Sequence, residues 1–210
     1  MRIGILGTGN VGKAVAAGAA AAGHDVMFGS RDPKGRADAL DLPVVPHEEA
    51  AAHGEIVVNA TGGNASLDLL PTLAEPLAGK VLLDIAIDLT PDLDLAHLDI
   101  SQGEKLQKAM PGVRVVKTLC TMDSVVMVDP LRTLPEPGTV FLSGDDAAAK
   151  EAVGALLGDL GWPPETRLDL GGIGTARGQE HAALLFMGVG HGLGSYHFNF
   201  KVVPPKPEQA

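Results

Sequence analysis

Arg2-Ile3-Gly4-Ile5-Leu6-Gly7-Thr8-Gly9-Asn10-Val11-Gly12-Lys13 stands near the start of the chain, and its reading decides the fold. A short apolar strand over 2–6 runs into glycines spaced G-x-G-x-x-G. An Ala-rich helix follows over 10–22, closed by Gly23. The glycine spacing alone is a weak signal, but between a strand and a helix it becomes specific. Gly7 permits the tight turn, Gly9 lets backbone approach a pyrophosphate, and Gly12 lets the helix pack close to the strand. Free N–H groups at the positive end of the helix would then face the anion. Gly7, Thr8, Gly9, Asn10, Val11 and Gly12 are therefore candidate binding residues, and the ligand class is a dinucleotide.

Outward from this turn, short apolar strands alternate with helical stretches, the pattern of a parallel sheet. Strands are expected over 25–28, 44–45, 55–60, 80–85, 113–117, 139–143 and 167–170. Helices are expected over 33–40, 47–52, 65–77, 103–109, 145–160 and from 174 to about 190. Pro71 should bend or interrupt the helix that contains it. The acidic segment 88–101 reads as surface chain, and 130–138, with three prolines, as a loop. A terminal extended strand is expected over 199–203, and a frayed Pro-rich tail over 204–210. The fold class is α/β: a Rossmann-type, doubly wound, mainly parallel sheet with a small C-terminal helical extension. The dinucleotide-binding domain would span 1–170. Residues 171–210 would form a C-terminal helix and terminal strand, a dimer or substrate-cleft element.

The second strand chooses the dinucleotide. NAD-binding units place an Asp or Glu at its end to take the ribose hydroxyls. Here it ends Phe28-Gly29-Ser30-Arg31, with no carboxylate at the tip. Ser30 offers a hydroxyl, and Arg31 a planar fork suited to a phosphate. Lys34 and Arg36 follow closely. This local basic cluster points to NADP(H). Asp32 lies about 20 residues past the fingerprint, where an NAD-specific carboxylate could be counted, but before Pro33 it reads as a turn residue. Further on, Thr61-Gly62-Gly63-Asn64 follows the carboxyl end of a strand, the ligand edge of an open α/β sheet. Thr61, Gly62 and, past the next strand, Ala86 are expected to border the nicotinamide half.

Composition bounds the rest. The 210 residues are 45% hydrophobic but only 3% aromatic, so the core must be aliphatic. A formal net charge of -10 argues against a uniformly basic nucleic-acid-binding face. No uninterrupted apolar run is long enough for a membrane span, and the first residues do not read as a signal peptide. The single cysteine, Cys120, excludes an intrachain disulfide and a Cys-based zinc site, and fits the cytoplasm. Nothing in 118–122 would lower its pKa, so it reads as a small packed residue or as a thiol near the cleft. His181 and His191 are not spaced as an i, i+4 pair, so no metal site is expected. Among His181, His191 and His197, one could donate a proton, or all could be structural. Glycines at 188, 190, 192 and 194 suit either a close dimer contact or an intrachain helix ending near Gly188.

Several stretches together resemble a known family. Residues 7–12, Gly29-Ser30-Arg31 and Pro111-Gly112-Val113-Arg114-Val115-Val116-Lys117-Thr118-Leu119 are similar to the NADP-linked oxidoreductases of coenzyme F420 and their dinucleotide-binding relatives. Ser143-Gly144-Asp145-Asp146, Asp169-Leu170-Gly171, Thr175-Ala176-Arg177-Gly178 and Phe198-Asn199-Phe200-Lys201-Val202-Val203 agree with it in order. The resemblance implies a Rossmann domain with a small C-terminal extension, paired as a homodimer, with Ser30 and Arg31 on the 2′-phosphate of NADP. It also implies hydride exchange between nicotinamide and deazaflavin, which needs two aligned rings rather than a nucleophile or a triad. The chain departs from the family at Cys120 and Asp123, often Asn in relatives, at Ala86-Ile87-Asp88-Leu89, and across 179–191. These departures fall on the side of the second substrate. Three readings follow: an NADPH-dependent reductase of a flat cofactor such as coenzyme F420; an NADPH-dependent reductase of a small imine, carbonyl or quinone; and a non-catalytic NADP(H)-binding sensor.

Overall fold

Residues 1–205 are described by the computed structural model, so residues 206–210 of the expected tail lie outside them. The chain begins with β1 (Arg2–Leu6), whose last four residues are buried, followed by α1 (Asn10–Ala21) and β2 (Asp25–Ser30). α2 (Pro33–Ala37) starts where Asp32 accepts the Gly35 N–H at 3.0 Å with Pro33 in the first turn, a favourable helix entry. β3 (Val44–Pro46) leads directly into α3 (His47–His53), and β4 (Ile56–Asn59) into α4 (Gly63–Leu69). Pro71 then breaks the helix, as expected: a 3-10 turn over Leu70–Leu73 separates α4 from α5 (Ala74–Leu77). After β5 (Val81–Asp84) comes α6 (Gln102–Ala109), entered through a Ser101/Glu104 capping box. The remaining elements are β6 (Arg114–Lys117), α7 (Ser124–Met127), α8 (Pro130–Thr133), β7 (Val140–Leu142), α9 (Ala147–Asp159), β8 (Arg167–Asp169) and α10 (Ala176–Leu193).

Six strands form one parallel sheet in the order β3-β2-β1-β4-β5-β6. The central strands β4 and β5 are buried at every residue, as strands covered on both faces must be. Successive residues point to opposite faces and so supply two cores. Val58, Leu83 and Val116 pack with Ile3, Ile5 and Trp162 on the side of α1 and α9. Val57, Leu82 and Val115 pack with Ala50, Leu77 and Leu106 on the side of α3, α5 and α6. This is the expected doubly wound Rossmann arrangement.

Several expectations need correction. β7 and β8 do not extend the main sheet; they form their own parallel pair. β7 runs antiparallel to β6 and meets it at one bridge, Lys117 with Ser143. The Pro-rich stretch is not all loop, because Pro130 takes a first-turn position in a short helix, where its missing N–H costs nothing. The acidic 88–101 segment is only partly at the surface: Leu95 and Asp88 are buried, and Asp88 faces His97 at 3.2 Å. α10 continues past Gly188 to Leu193 and stops at Gly194, which takes the left-handed conformation common at helix ends. The 199–203 segment is not a strand. Its backbone is held at Thr139, whose N–H donates to the Phe200 carbonyl at 2.7 Å and whose Oγ1 accepts the Val202 N–H at 2.9 Å, and the Lys201 side chain pairs with Glu136 at 2.6 Å.

Trp162, the only tryptophan, is fully buried, and its Nε1–H donates to the Met127 carbonyl at 2.9 Å. It joins α7 to the end of α9. Trp162→Ala is expected to lower stability by about 3–5 kcal/mol, the usual range for deleting a buried aromatic side chain. Urea denaturation followed by far-UV circular dichroism checks this.

Candidate functional site

The glycine turn closes through contacts that no side chain could share. Gly7 has φ +114°, a conformation that strains other residues, and a Cβ there would strike the Ala60 carbonyl. A Cβ on Gly12 would overlap the Gly7 carbonyl oxygen, whereas one on Gly9 would meet nothing. Gly9 therefore faces open space, and α1 packs tightly against the turn. α1 is entered from Gly9, which offers no side-chain cap, and has no acidic residue in its first turn. Its leading N–H groups lack intrahelical partners and carry the positive end of the helix dipole, which suits an anion.

In front of this turn lies a cleft of about 590 Å³ at the carboxyl ends of the strands. Gly7, Thr8 and Gly9 form one wall, and Ala60, Thr61 and Gly62 the next. Gly29, Ser30, Arg31 and Asp32 come from the end of β2, Arg36 from α2 and His47 from α3. Ala65, Asp68, Leu69 and Thr72 close it from α4 and the turn beyond. The structure thus gathers Gly7, Thr8, Gly9, Ser30, Arg31, Thr61 and Gly62 around one cleft. Asn10, Val11 and Gly12 lie behind it at the helix start, and Lys34 is exposed on α2 outside it. Ala86 is buried away from the cleft wall, and its carbonyl accepts from Lys117. Arg36, His47, Asp68 and Thr72 are additions. Arg36 stood in the basic cluster read from sequence; the other three carried no motif and reach the cleft only through tertiary packing.

Local bonding settles two ambiguous groups. Asp32 caps α2 through its Oδ1, so it serves the turn. Ser30 Oγ accepts the Asp32 N–H at 3.1 Å, which leaves its own hydroxyl hydrogen available. Burial, with Arg31 adding to it, holds the His47 pKa below the ordinary imidazole value.

Behind the cleft runs a buried polar network. Thr61 Oγ1 donates to Asn59 Oδ1 at 2.7 Å, and Asn59 Nδ2 donates to Asp84 Oδ1 at 2.7 Å. Asp84 Oδ2 lies 3.0 Å from Lys117 Nζ, which lies 2.9 Å from Glu180 Oε1 on α10. Glu180 also accepts the N–H groups of Gln102 and Gly103 at the start of α6, at 2.9 and 3.2 Å. Next to it, Gln179 Nε2 donates to Ser143 Oγ at 2.8 Å and to the Lys117 carbonyl at 3.2 Å. Burial opposes the Lys117 charge, yet Asp84, Cys120 and Glu180 outweigh it and raise the lysine's pKa. Burial pushes the Cys120 thiol up to about 12, against the pull of Lys117. Cys120 is therefore a packed thiol, 3.8 Å from Gln179 Oε1, rather than a nucleophile. The cation that does act on the thiol is Lys117, three residues before it and outside the 118–122 stretch. Of the C-terminal histidines, His181 Nδ1 lies 2.8 Å from the Arg177 carbonyl, and His191 and His197 are exposed. None lines the cleft.

Comparison with known proteins places this geometry. Residues 2–88 match the family model described as NADP oxidoreductase, coenzyme F420-dependent. A candidate F420-dependent NADP reductase from Arthrobacter sp. FB24 superposes with a TM-score of 0.89 at 40% identity, covering 97% of this chain and 100% of that one. The F420-dependent NADP reductase of Methanothermobacter marburgensis is 25% identical over 61% of this chain and 67% of its own length. The metalloreductase STEAP3 of Rattus norvegicus is 31% identical over 85% of this chain. The chain spans only 36% of the length of that protein and of human STEAP2. An imine reductase from Streptomyces aurantiacus shares the fold, with a TM-score of 0.64 at 20% identity, covering 89% of this chain and 62% of that one.

Replacing Lys117 with Met would leave two buried carboxylates without their shared cation. Loss of one partner from a buried ion pair costs about 3–5 kcal/mol, and K117M is expected to fall in that range in chemical denaturation at neutral pH. In the unaltered protein, a thiol reagent such as Ellman's is expected to label Cys120 at an appreciable rate only once denaturant opens the fold.

Proposed function

This chain belongs to the coenzyme F420-dependent NADP oxidoreductase family, and from that premise we propose that it passes a hydride between NADP(H) and a flat deazaflavin acceptor. The observation that carries the reading is the cleft itself. An uncapped, acid-free helix start stands at one end, and Ser30, Arg31 and Arg36 at the other. Charge and donors are thus available for both a pyrophosphate and a 2′-phosphate. The one carboxylate at the β2 tip, Asp32, is committed to capping α2. These residues fit NADP(H) better than NAD(H), whose ribose hydroxyls call for a free carboxylate there.

When bound, the reduced nicotinamide supplies the hydride. The protein's part is placement. In this reading residues 7–12 hold the pyrophosphate, Ser30 and Arg31 take the 2′-phosphate, and Thr61 and Gly62 border the reacting ring. Thr61 is anchored to Asn59, so that border is fixed from behind. Such fixing supports alignment of two rings, the main requirement of direct hydride transfer. No acid or base is required at the cleft. An imine or carbonyl acceptor would require one at the reacting ring. Neither Cys120, buried beside Gln179, nor His191, exposed on the last turn of α10, reaches the cleft, and His47 lines it beside Ser30 and Arg31, the 2′-phosphate side in this reading.

The family relatives named for F420 support the deazaflavin as acceptor. Pairing of two copies would suit α10, which exposes Leu184, Leu185 and Leu193. No helix among the described residues is long and apolar enough to cross a membrane, and the free buried thiol suits a reducing cytoplasm.

The test is NADPH oxidation, followed by absorbance, with coenzyme F420 beside a panel of imines and quinones. Turnover with the deazaflavin is expected, and its absence would remove this acceptor. Arg31→Ala is expected to raise KM for NADPH about 10–100-fold, as for loss of charge-assisted hydrogen bonds worth ~1.5–3 kcal/mol, while KM for NADH stays nearly unchanged.

A further inference from the structure

We propose that His47 is a further ligand of the 2′-phosphate, beside Ser30 and Arg31, and acts only when protonated, so preference for the phosphorylated dinucleotide rises as pH falls below neutrality. The inference rests on the NADP(H) reading of the cleft.

The register of the sheet brings the residue there. Ser30, the last residue of β2, pairs with Pro46, the last of β3, and His47 is the next residue of the chain. The tips of the two strands therefore set His47 beside Ser30 and Arg31. Gly29 makes the approach close: a Cβ at that position would lie 3.1 Å from the Cα of His47. His47 is half-buried and lines the same cleft as Ser30, Arg31 and Arg36. Four of the other six histidines have partners: His24 bonds to Asp159, His53 to the Asp25 carbonyl, His97 to Asp88, and His181 to the Arg177 carbonyl, while His191 and His197 are exposed and do not line the cleft. His47 has no such partner among the described residues.

The charges around it set its behaviour. Arg31 and Asp32 face it from the end of β2, Arg36 from α2 and Asp68 from α4 across the cleft. Glu48 and Glu49 share the first turn of α3, and Glu75 stands on α5, which packs against α3. Asp32 is held by Gly35, and of these charges Arg31 is the one that bears on the imidazole, disfavouring its protonated form. Burial and Arg31 keep the imidazole neutral in the free protein. A phosphate monoester carrying close to two negative charges reverses that balance and favours the imidazolium. The bound state then holds a proton that the free state lacks. By linkage, affinity rises as pH falls through the bound-state pKa and levels off below the free-state pKa. Protonation of the phosphate itself, near pH ~6, opposes the effect at the acid end, so the informative window lies above it.

The experiment is isothermal titration of NADP⁺ and NAD⁺ into the full chain, from mildly alkaline pH down to about 6. Each titration is repeated in two buffers of different ionisation enthalpy, with the unaltered protein and with His47→Asn. For the unaltered protein, NADP⁺ affinity is expected to rise by about threefold to tenfold per pH unit, with net proton uptake, while NAD⁺ affinity stays flat. H47N is expected to lose the pH slope and the proton uptake yet still prefer NADP⁺ through Arg31. Equal slopes in the two proteins would overturn the role of His47. So would the absence of proton uptake in the unaltered protein, a readout independent of how well the variant folds. If the unaltered protein fails to prefer NADP⁺ at any pH, the cofactor reading itself falls, and the inference with it.

Discussion

Lys117 sits at the carboxyl end of β6 with its ammonium shut off from water, and much of the molecule is arranged around that charge. A buried cation must be balanced where it stands. Asp84 from the neighbouring strand supplies one carboxylate and Glu180 from α10 the other. Glu180 is in turn held by the first N–H groups of α6. On the other side, Asp84 reaches through Asn59 to Thr61 at the cleft. The last long helix and the cofactor edge are therefore joined through polar groups that cannot be rearranged one at a time. Such an arrangement specifies one geometry more than it adds stability over a well-packed apolar alternative.

How much was legible in the sequence follows from the range of each interaction. The strand–turn–helix at residues 2–21 is specified by neighbours, so glycine spacing and apolar runs revealed it. β4 and β5 were legible because strands buried on both faces read as continuous apolar runs. The Pro71 interruption and the Asp32 turn were legible because proline and helix caps act locally. What was missed depends on partners far away in sequence. Nothing in the residues of β7 shows that it runs against β6 and touches it once. The 199–203 stretch has strand-like residues, but its backbone bonds across to Thr139 alone. Lys117 read as the end of a strand, and its burial became visible only once Glu180 came back across the sheet.

The cleft divides along the same line. Residues from the β1–α1 turn and the β2 tip came from local motifs. His47, Asp68 and Thr72 came from elements whose positions only the fold determines. The stretch 179–191, where the chain departs from the pattern of its family, includes Gln179 and Glu180, both central to the buried network. Further along α10, Phe186 stacks on Phe198 with ring centroids 4.9 Å apart, and Phe198 meets Phe200 edge-on at 5.7 Å. In a chain so poor in aromatics, most of its phenylalanines gather here. The segment is built to fold the C-terminal chain back on itself as well as to hold Lys117.

The same buried charge has a consequence for the order of assembly. Lys117 meets Asp84 across 33 residues of chain, whereas Gln179 reaches the Lys117 carbonyl across 62 and Glu180 reaches Gln102 across 78. Contacts that close longer loops carry a larger entropic penalty and form more slowly. Pairing of β5 with β6 would then come first, leaving an ammonium half-neutralised and still wet. Docking of α10 would come last, expelling that water and closing the fold. On a ribosome the delay is unavoidable, because α10, which completes the lysine's surroundings, is made after β5, α6 and β6.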